Sequence, residues 1–285
     1  MAVRRRSVAH TILGGVWLGW KVDSNWADPW LFAGYAILRP LAQSLILVVM
    51  YWVIAHDTTT GYFGSLMVGG AFFTVVQYVL AGTSWCVIED REFYSTIRYI
   101  YLASRSLVWY LLGRAVAKLA LALLSVGVIL VFVKLALGAP VWVHGLQTPA
   151  GLAALAAGVG ATAAMGIGLS GVLLLAARRG EFYSEAVAGS IFLAAGAVFP
   201  PDVLPRWLQG VAAVLPQTYW LEATRRWLVE GSWQWSAWLS RLPDGELFGR
   251  LLASGSGWGL AGVALFLAAE AYVRRTGTLD HHTED

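Results

Sequence analysis

Ala115-Val-Ala-Lys-Leu-Ala-Leu-Ala-Leu-Leu-Ser-Val-Gly-Val-Ile-Leu-Val-Phe-Val-Lys-Leu-Ala-Leu137 decides the fold class. Its two charges, Lys118 and Lys134, sit near its ends, and Ser125 is the only hydroxyl between them. As a helix it is roughly 34 Å long at 1.5 Å per residue, enough to cross the ~30 Å hydrocarbon core of a bilayer. Working outward, five more apolar stretches appear at 35–55, 62–88, 150–177, 184–199 and 251–273. The fifth in chain order, 184–199, is short for a full crossing, so it is expected to be tilted, broken or only partly inserted. The whole chain agrees: 285 residues are 58% hydrophobic and only 13% charged, with mean hydropathy +0.63. Soluble domains carry about a quarter charged residues, so lipid must solvate the remainder. The expected fold is an all-α polytopic membrane protein with six transmembrane helices.

Charge placement sets the orientation. Arg4, Arg5, Arg6 and Lys21, then Arg91, Arg98 and Arg105, then Arg178 and Arg179, then Arg274 and Arg275 fall on one side. The short loops 56–61 and 138–149 on the other side hold no Lys or Arg. The positive-inside rule therefore places both termini in the cytoplasm. Residues 200–250 carry five arginines on the outer side, an exception that long loops tolerate. The basic N-terminus is not followed by a signal-peptide pattern and is expected to remain on the mature protein. A net charge of +3 does not suggest nucleic acid; anionic lipid is the expected partner of the arginine clusters. Cys86, the sole cysteine, excludes an intrachain disulfide and reads as a buried thiol.

Residues 7–28 place Ile12, Leu13, Val16, Trp17 and Trp20 at helical spacing, the pattern of an amphipathic helix on the inner surface. Residues 200–231 hold Pro200, Pro201, Pro205 and Pro216 as punctuation around two helical patterns. With Trp207, Trp220, Trp227, Trp233, Trp235 and Trp238 crowding this side, the segment is expected to dip into the outer interface. Glu89-Asp90-Arg91-Glu92 reads either as the end of a helix in water or as the start of a surface helix over 93–105 that a cytoplasmic partner grips. Arg39, Arg114 and Lys118 are expected to snorkel to inner headgroups and Lys134 to outer ones, with Glu270 in reach of water.

Several chemistries are excluded or weak. Gly166-Ile-Gly168-Leu-Ser-Gly171 matches a dinucleotide pattern but lies mid-span, where small residues let helices approach closely. No lysine is preceded by glycine, so no Walker A phosphate cradle exists. No acidic residue lies at mid-depth, which argues against an ion-coupled carrier. His10, His56, His144, His281 and His282 are scattered, and Asp202, Glu222, Asp244 and Glu246, the only candidate catalytic cluster, read better as caps and solvated faces.

The order of parts resembles the membrane subunit of a type-2 ATP-binding-cassette (ABC) exporter. The resemblance rests on Phe199-Pro200, Pro205, Leu215-Pro216, Tyr219, Glu222 and Arg225-Arg226 through Glu230-Gly231, and on Glu89 to Glu92 with the stretch through Leu112-Gly113-Arg114. It implies a connecting helix within 1–28 and a six-helix transmembrane domain at 29–275. It further implies a coupling helix at about 89–106, short re-entrant helices at about 200–231, and a cytoplasmic tail at 276–285. Glu89, Asp90, Arg91, Glu92, Arg98 and Arg105 would couple to the ATPase. Phe199, Pro200, Pro205, Pro216, Tyr219, Glu222 and Arg225 would build the outer segment. The chain would sit in the inner (plasma) membrane, pair with a second permease of the same or related sequence, and bind two cassette ATPase subunits. It would hold no cofactor and catalyse nothing, ATP and Mg belonging to the partner ATPase. Its substrate would be an amphipathic drug, lipid or lipid-linked glycan. Glu89→Ala or Arg98→Ala would weaken ATPase docking in a folded permease. The resemblance assigns no role to the 233–250 insert. The alternatives are a self-contained channel or secondary carrier and, more remotely, a membrane-embedded enzyme acting on lipids.

Overall fold

The computed structural model describes residues 7–24, 28–55, 60–104, 106–141, 148–176, 180–229 and 234–277. Arg105, His56, His144, Arg178, Arg179, Glu230, Gly231, Trp233, His281 and His282, with Arg4 to Arg6, lie outside them. Eleven α-helices run along the described chain: α1 Val8–Ser24, α2 Pro29–Ala55, α3 Gly61–Val76, α4 Gly82–Ile88, α5 Ile97–Ala103, α6 Leu107–Leu137, α7 Pro149–Leu175, α8 Gly180–Ala194, α9 Arg206–Val214, α10 Pro216–Leu228 and α11 Asp244–Thr276. Val141 and Val229 form an isolated antiparallel bridge.

Among the described residues, five helical segments are long and apolar enough to cross a membrane: Pro29–Ile54, Gly61–Phe93, Leu107–Leu137, Pro149–Leu175 and Asp244–Thr276. The remaining expected span, the fifth in chain order, is α8, only 15 residues long, or about 22 Å. The chain leaves the helix after Ala194 and turns at Gly196, whose φ of 76° needs no Cβ. Side chains set the starts of several spans. Thr60 Oγ1 accepts from Phe63 N–H, and Ser106 Oγ from Val108 N–H. Thr148 Oγ1 accepts from Gly151 N–H, with Pro149 at the first helical position.

The second span is one helical column, Gly61–Phe93, interrupted by two π turns at Gln77–Ala81 and Glu89–Phe93. Each π turn inserts an extra residue and re-aims the side chains beyond it. The last span starts earlier than its apolar run suggests. Residues 244–250 of the insert form the first turns of α11, entered from Pro243.

Small residues set the helix seams. A Cβ on Gly168 would lie 2.6 Å from Gly262 Cα, one on Gly171 2.7 Å from Phe266 Cα, and one on Gly166 3.1 Å from Leu80 Cα. The glycine motif therefore joins α7 to α11 and to the first π turn, as mid-span glycines do.

The N-terminal helix forms where the pattern placed it, with its small residues against the protein. Thr11, Gly15 and Gly19 are the buried residues, and a Cβ on Gly15 would lie 2.5 Å from Tyr110 O and 3.1 Å from Gly113 Cα. The apolar residues that suggested the helix, Leu13 (65% exposed), Trp17 (64%) and Trp20, point away from the protein. Backbone approach through glycine, rather than apolar burial, docks α1 on α6.

Candidate functional site

The second span ends in a charged knot. Its last turn, Glu89–Phe93, is a π turn, and Asp90 (3% exposed) and Arg91 (6%) are buried. Arg114 Nη2 donates to Glu89 Oε2 at 2.6 Å. Tyr110 Oη donates to Asp90 Oδ2 at 2.7 Å. Arg91 donates to Leu174 O at 3.3 Å, to Ala176 O at 3.0 Å and to Glu92 at 2.8 Å. One turn deeper, Lys118 Nζ donates to Asp23 Oδ1 of α1 at 2.6 Å. The four charges are thus not a water-solvated helix end. They tie the second span to α6 and the end of α7, and the Lys118–Asp23 pair adds α1.

This arrangement also corrects the snorkelling expectation for Arg114 and Lys118. Arg114 is fully buried and Lys118 nearly so, because an acid from a neighbouring helix meets each of them. In a low-dielectric site an internal ion pair satisfies a cation without a route to water. Arg39 donates to Tyr35 Oη at 2.9 Å and lies over the Tyr78 ring. Glu270 is buried and accepts from Arg274 at 2.8 Å. A cation alone in an apolar run suggests snorkelling; the sequence does not say which acid packs against it.

After a turn at Tyr94 to Thr96, with Ser95 at φ 51°, comes α5. It buries Ile97 and exposes Arg98, Tyr99 and Leu102, beside exposed Phe93 and Tyr94. Arg274 of α11 stacks on Tyr101 at 4.9 Å, so the last span also holds this short helix. Glu89, Asp90, Arg91, Glu92 and Arg98 are therefore neighbours along one end of the bundle.

The residues singled out between the fifth and sixth spans gather at the other end of Gly61–Phe93. Phe199 is exposed. Pro200 precedes a 3₁₀ turn at Pro201–Val203, Pro205 leads into α9, and Pro216 opens α10. Tyr219 Oη donates to Ala213 O at 2.7 Å. Arg225 is the centre. Its guanidinium donates to Ser65 O at 2.9 Å, Gly196 O at 2.7 Å and Ala197 O at 3.0 Å, and stacks on Trp235 at 4.3 Å. Burial pulls the Arg225 guanidinium down to about 10, with Glu222 opposing, so it stays charged at neutral pH.

Sequence reasoning missed what the insert does. Trp235 covers Arg225 and donates to Gly196 O at 3.2 Å. Arg226 donates to Leu239 O at 2.6 Å, Leu242 O at 2.9 Å and Asp244 Oδ1 at 2.7 Å. Trp238 N–H donates to Asp202 Oδ1 at 3.2 Å. Residues 234–243 are a strap that closes over α10. The acids Asp202, Glu222, Asp244 and Glu246 are each spent on a partner, Glu222 on Arg226 and Glu246 on Arg250. Glu222 is buried rather than solvated. The adjacent Arg225-Arg226 pair was the only local signal, since nothing in the sequence says that Trp235 returns to it.

Two linked ends on one bundle of spans can be compared with known proteins. The family model for ABC-2 type transporters matches residues 16–229, most of the chain. The chain belongs to the ABC-2 type transporter family. The membrane domain of this family is the permease component of an ABC transporter rather than its ATPase, and such permeases generally pair with ATPase subunits and dimerise. This ABC-2 permease is a multi-pass membrane protein. The matched region runs from within α1 to the end of α10 and stops before the strap and α11. No curated protein matches the chain.

Proposed function

We propose that this chain is the transmembrane subunit of an ATP-driven exporter for an amphipathic substrate, with 29–275 as its transmembrane domain. In this reading both termini and α5 face the cytoplasm. Residues 1–28 carry the connecting helix, 276–285 are a cytoplasmic tail, and α9 and α10 are re-entrant helices at the outer leaflet. Two cassette ATPases, holding ATP and Mg, dock on α5 of this chain and of a second permease.

The observation that carries the reading is the construction of α5. Its root is cross-linked by buried charges to α6 and the end of α7, and Arg274 of α11 stacks on its Tyr101, while Phe93, Tyr94, Tyr99 and Leu102 stay exposed around Arg98. An apolar, aromatic tip on a stiff base is what a lever needs: the tip receives a partner and the base passes displacement to the spans. The nine residues of α9 and thirteen of α10 are too short to cross, which supports re-entry.

The test is co-purification of the intact chain with a cassette ATPase. Arg98→Glu with Leu102→Asp is expected to abolish capture and substrate-stimulated ATP hydrolysis while leaving thermal stability near that of the native chain. Failure of the native chain to capture any cassette ATPase would refute the reading.

A further inference from the structure

The last span, α11, touches both ends of the bundle. Its 33 residues make a rod of about 50 Å. At the inner end Arg274 lies over the Tyr101 ring of α5 at 4.9 Å, and Glu270 holds it by accepting from Nη2 at 2.8 Å. Phe266 and Val273 lie in the apolar cluster that contains Ile97 of α5. At the outer end Asp244 Oδ1 accepts from Arg226 of α10 at 2.7 Å. Leu247 and Leu251 lie in the cluster that contains Trp235 and Leu239 of the strap. Trp258 Nε1 donates to Val214 O, at the last residue of α9, at 3.0 Å. A Cβ on Gly255 would lie 3.9 Å from Cβ of Pro216, which opens α10. The joint between the two short outer helices thus rests on α11.

Between these anchors the buried face of α11 is smooth. The residues it buries between Leu251 and Phe266 are Gly255 and Gly262. A Cβ on Gly255 would lie 3.0 Å from Ala161 Cβ, and one on Gly262 2.6 Å from Ala164 O, so the approach to α7 is made by backbone and methyl groups. Large side chains form ridges that seat in the grooves of a neighbouring helix and fix its register. This seam has no such ridge at its middle, and small axial sliding is the shear motion that packed helices undergo. On the other side Leu252, Leu260, Leu265 and Leu267 face away from the protein, where lipid sets no register.

We propose that α11 is a push rod: axial displacement of α5 travels along α11, over the α7 seam, to Asp244 and Trp258, and there shifts the strap and the α9–α10 joint. A helix suits this role because hydrogen bonds between successive turns stiffen it along its axis. Linkage requires the coupling to run both ways. The proposal rests on the exporter reading only in making α5 the end that a partner moves; the link itself belongs to this chain alone.

The test is amide hydrogen exchange, read by mass spectrometry, on the full-length chain in lipid nanodiscs. Arg274→Ala removes the inner anchor. It should speed exchange at least threefold over 234–243 and 206–215, roughly 45 Å away along the rod, and leave α3 unchanged. Asp244→Ala with Trp258→Phe removes the outer anchors and should speed exchange over 97–103 at least threefold. Tyr99→Ala, on an exposed face of α5, should leave the outer segments as they are. Faster exchange confined to the perturbed end, or spread evenly through α3, overturns the proposal. ATPase capture on the same preparation separates the two claims. Capture without long-range exchange effects sinks the rod and leaves the exporter reading, and long-range effects without capture do the reverse.

Discussion

Replacing Arg225 with alanine should unlock the strapped end of the permease. The guanidinium donates three hydrogen bonds to main-chain carbonyls of α3 and of the turn after α8 and stacks on Trp235, at 3% exposure. Hydrogen bonds to a charged group contribute about 1.5–3 kcal/mol each, and a desolvated cation–π contact about 2 kcal/mol. Against this stands the cost of burying a guanidinium, which the alanine variant no longer bears. Buried carbonyls that lose their donor cost about 1–3 kcal/mol each, here at Ser65, Gly196 and Ala197, a loss of at least about 3 kcal/mol together. A chain of this size loses about 2–4 °C of Tm per kcal/mol, so Arg225→Ala should melt at least about 6 °C lower. Cys86, the only cysteine and fully buried, supplies the assay: a thiol-reactive fluorogenic dye labels it as the protein unfolds in detergent. Arg225→Lys, which keeps the charge but cannot reach three carbonyls at once, should fall between. A Tm for Arg225→Ala within about 1 °C of the native value would show that the clasp contributes no net stability and refute the reasoning.

Other outcomes follow from the same contacts. Glu89→Gln should destabilise by about 3–5 kcal/mol, because it strands Arg114 at 0% exposure; Glu89→Gln with Arg114→Leu should recover part of the loss in a double-mutant cycle of melting curves. Arg98→Ala, at an exposed position of α5, should change stability by no more than about 0.5 kcal/mol, which the same melts would check. Gly113→Ala puts a methyl group against Ile12 O and 2.9 Å from Gly15 Cα. It should lift α1 from α6 at a cost of about 1–3 kcal/mol and make the N-terminal segment more sensitive to protease. Gly158→Ala would collide with the fully buried Trp220 ring, and should lower Tm by several degrees because a packed core has no room for the ring to shift.

Much of this protein was legible from local pattern. Stretches such as 115–137 declare themselves, because a run long enough to span a bilayer has no aqueous alternative. The prolines at 200, 205 and 216 marked the helix starts between the fifth and sixth spans, because proline is tolerated at the first turn and not beyond it. The mid-span glycines from Gly166 to Gly171 announced a close seam for the same local reason. Only tertiary structure could decide which partners those pieces choose. Arg114 and Lys118 look solitary in the chain, yet Glu89 and Asp23 are folded against them from 25 and 95 positions away. The N-terminal helix was recognisable from its large apolar residues, but the face that docks on α6, built on Gly15 and Gly19, was not. The strap's purpose was invisible until Trp235 lay over Arg225, because a stacking contact across a fold leaves no periodic trace. Solvation by lipid acts on each segment separately and can be read segment by segment; ion pairing and close packing act between segments and exist only once the chain has folded.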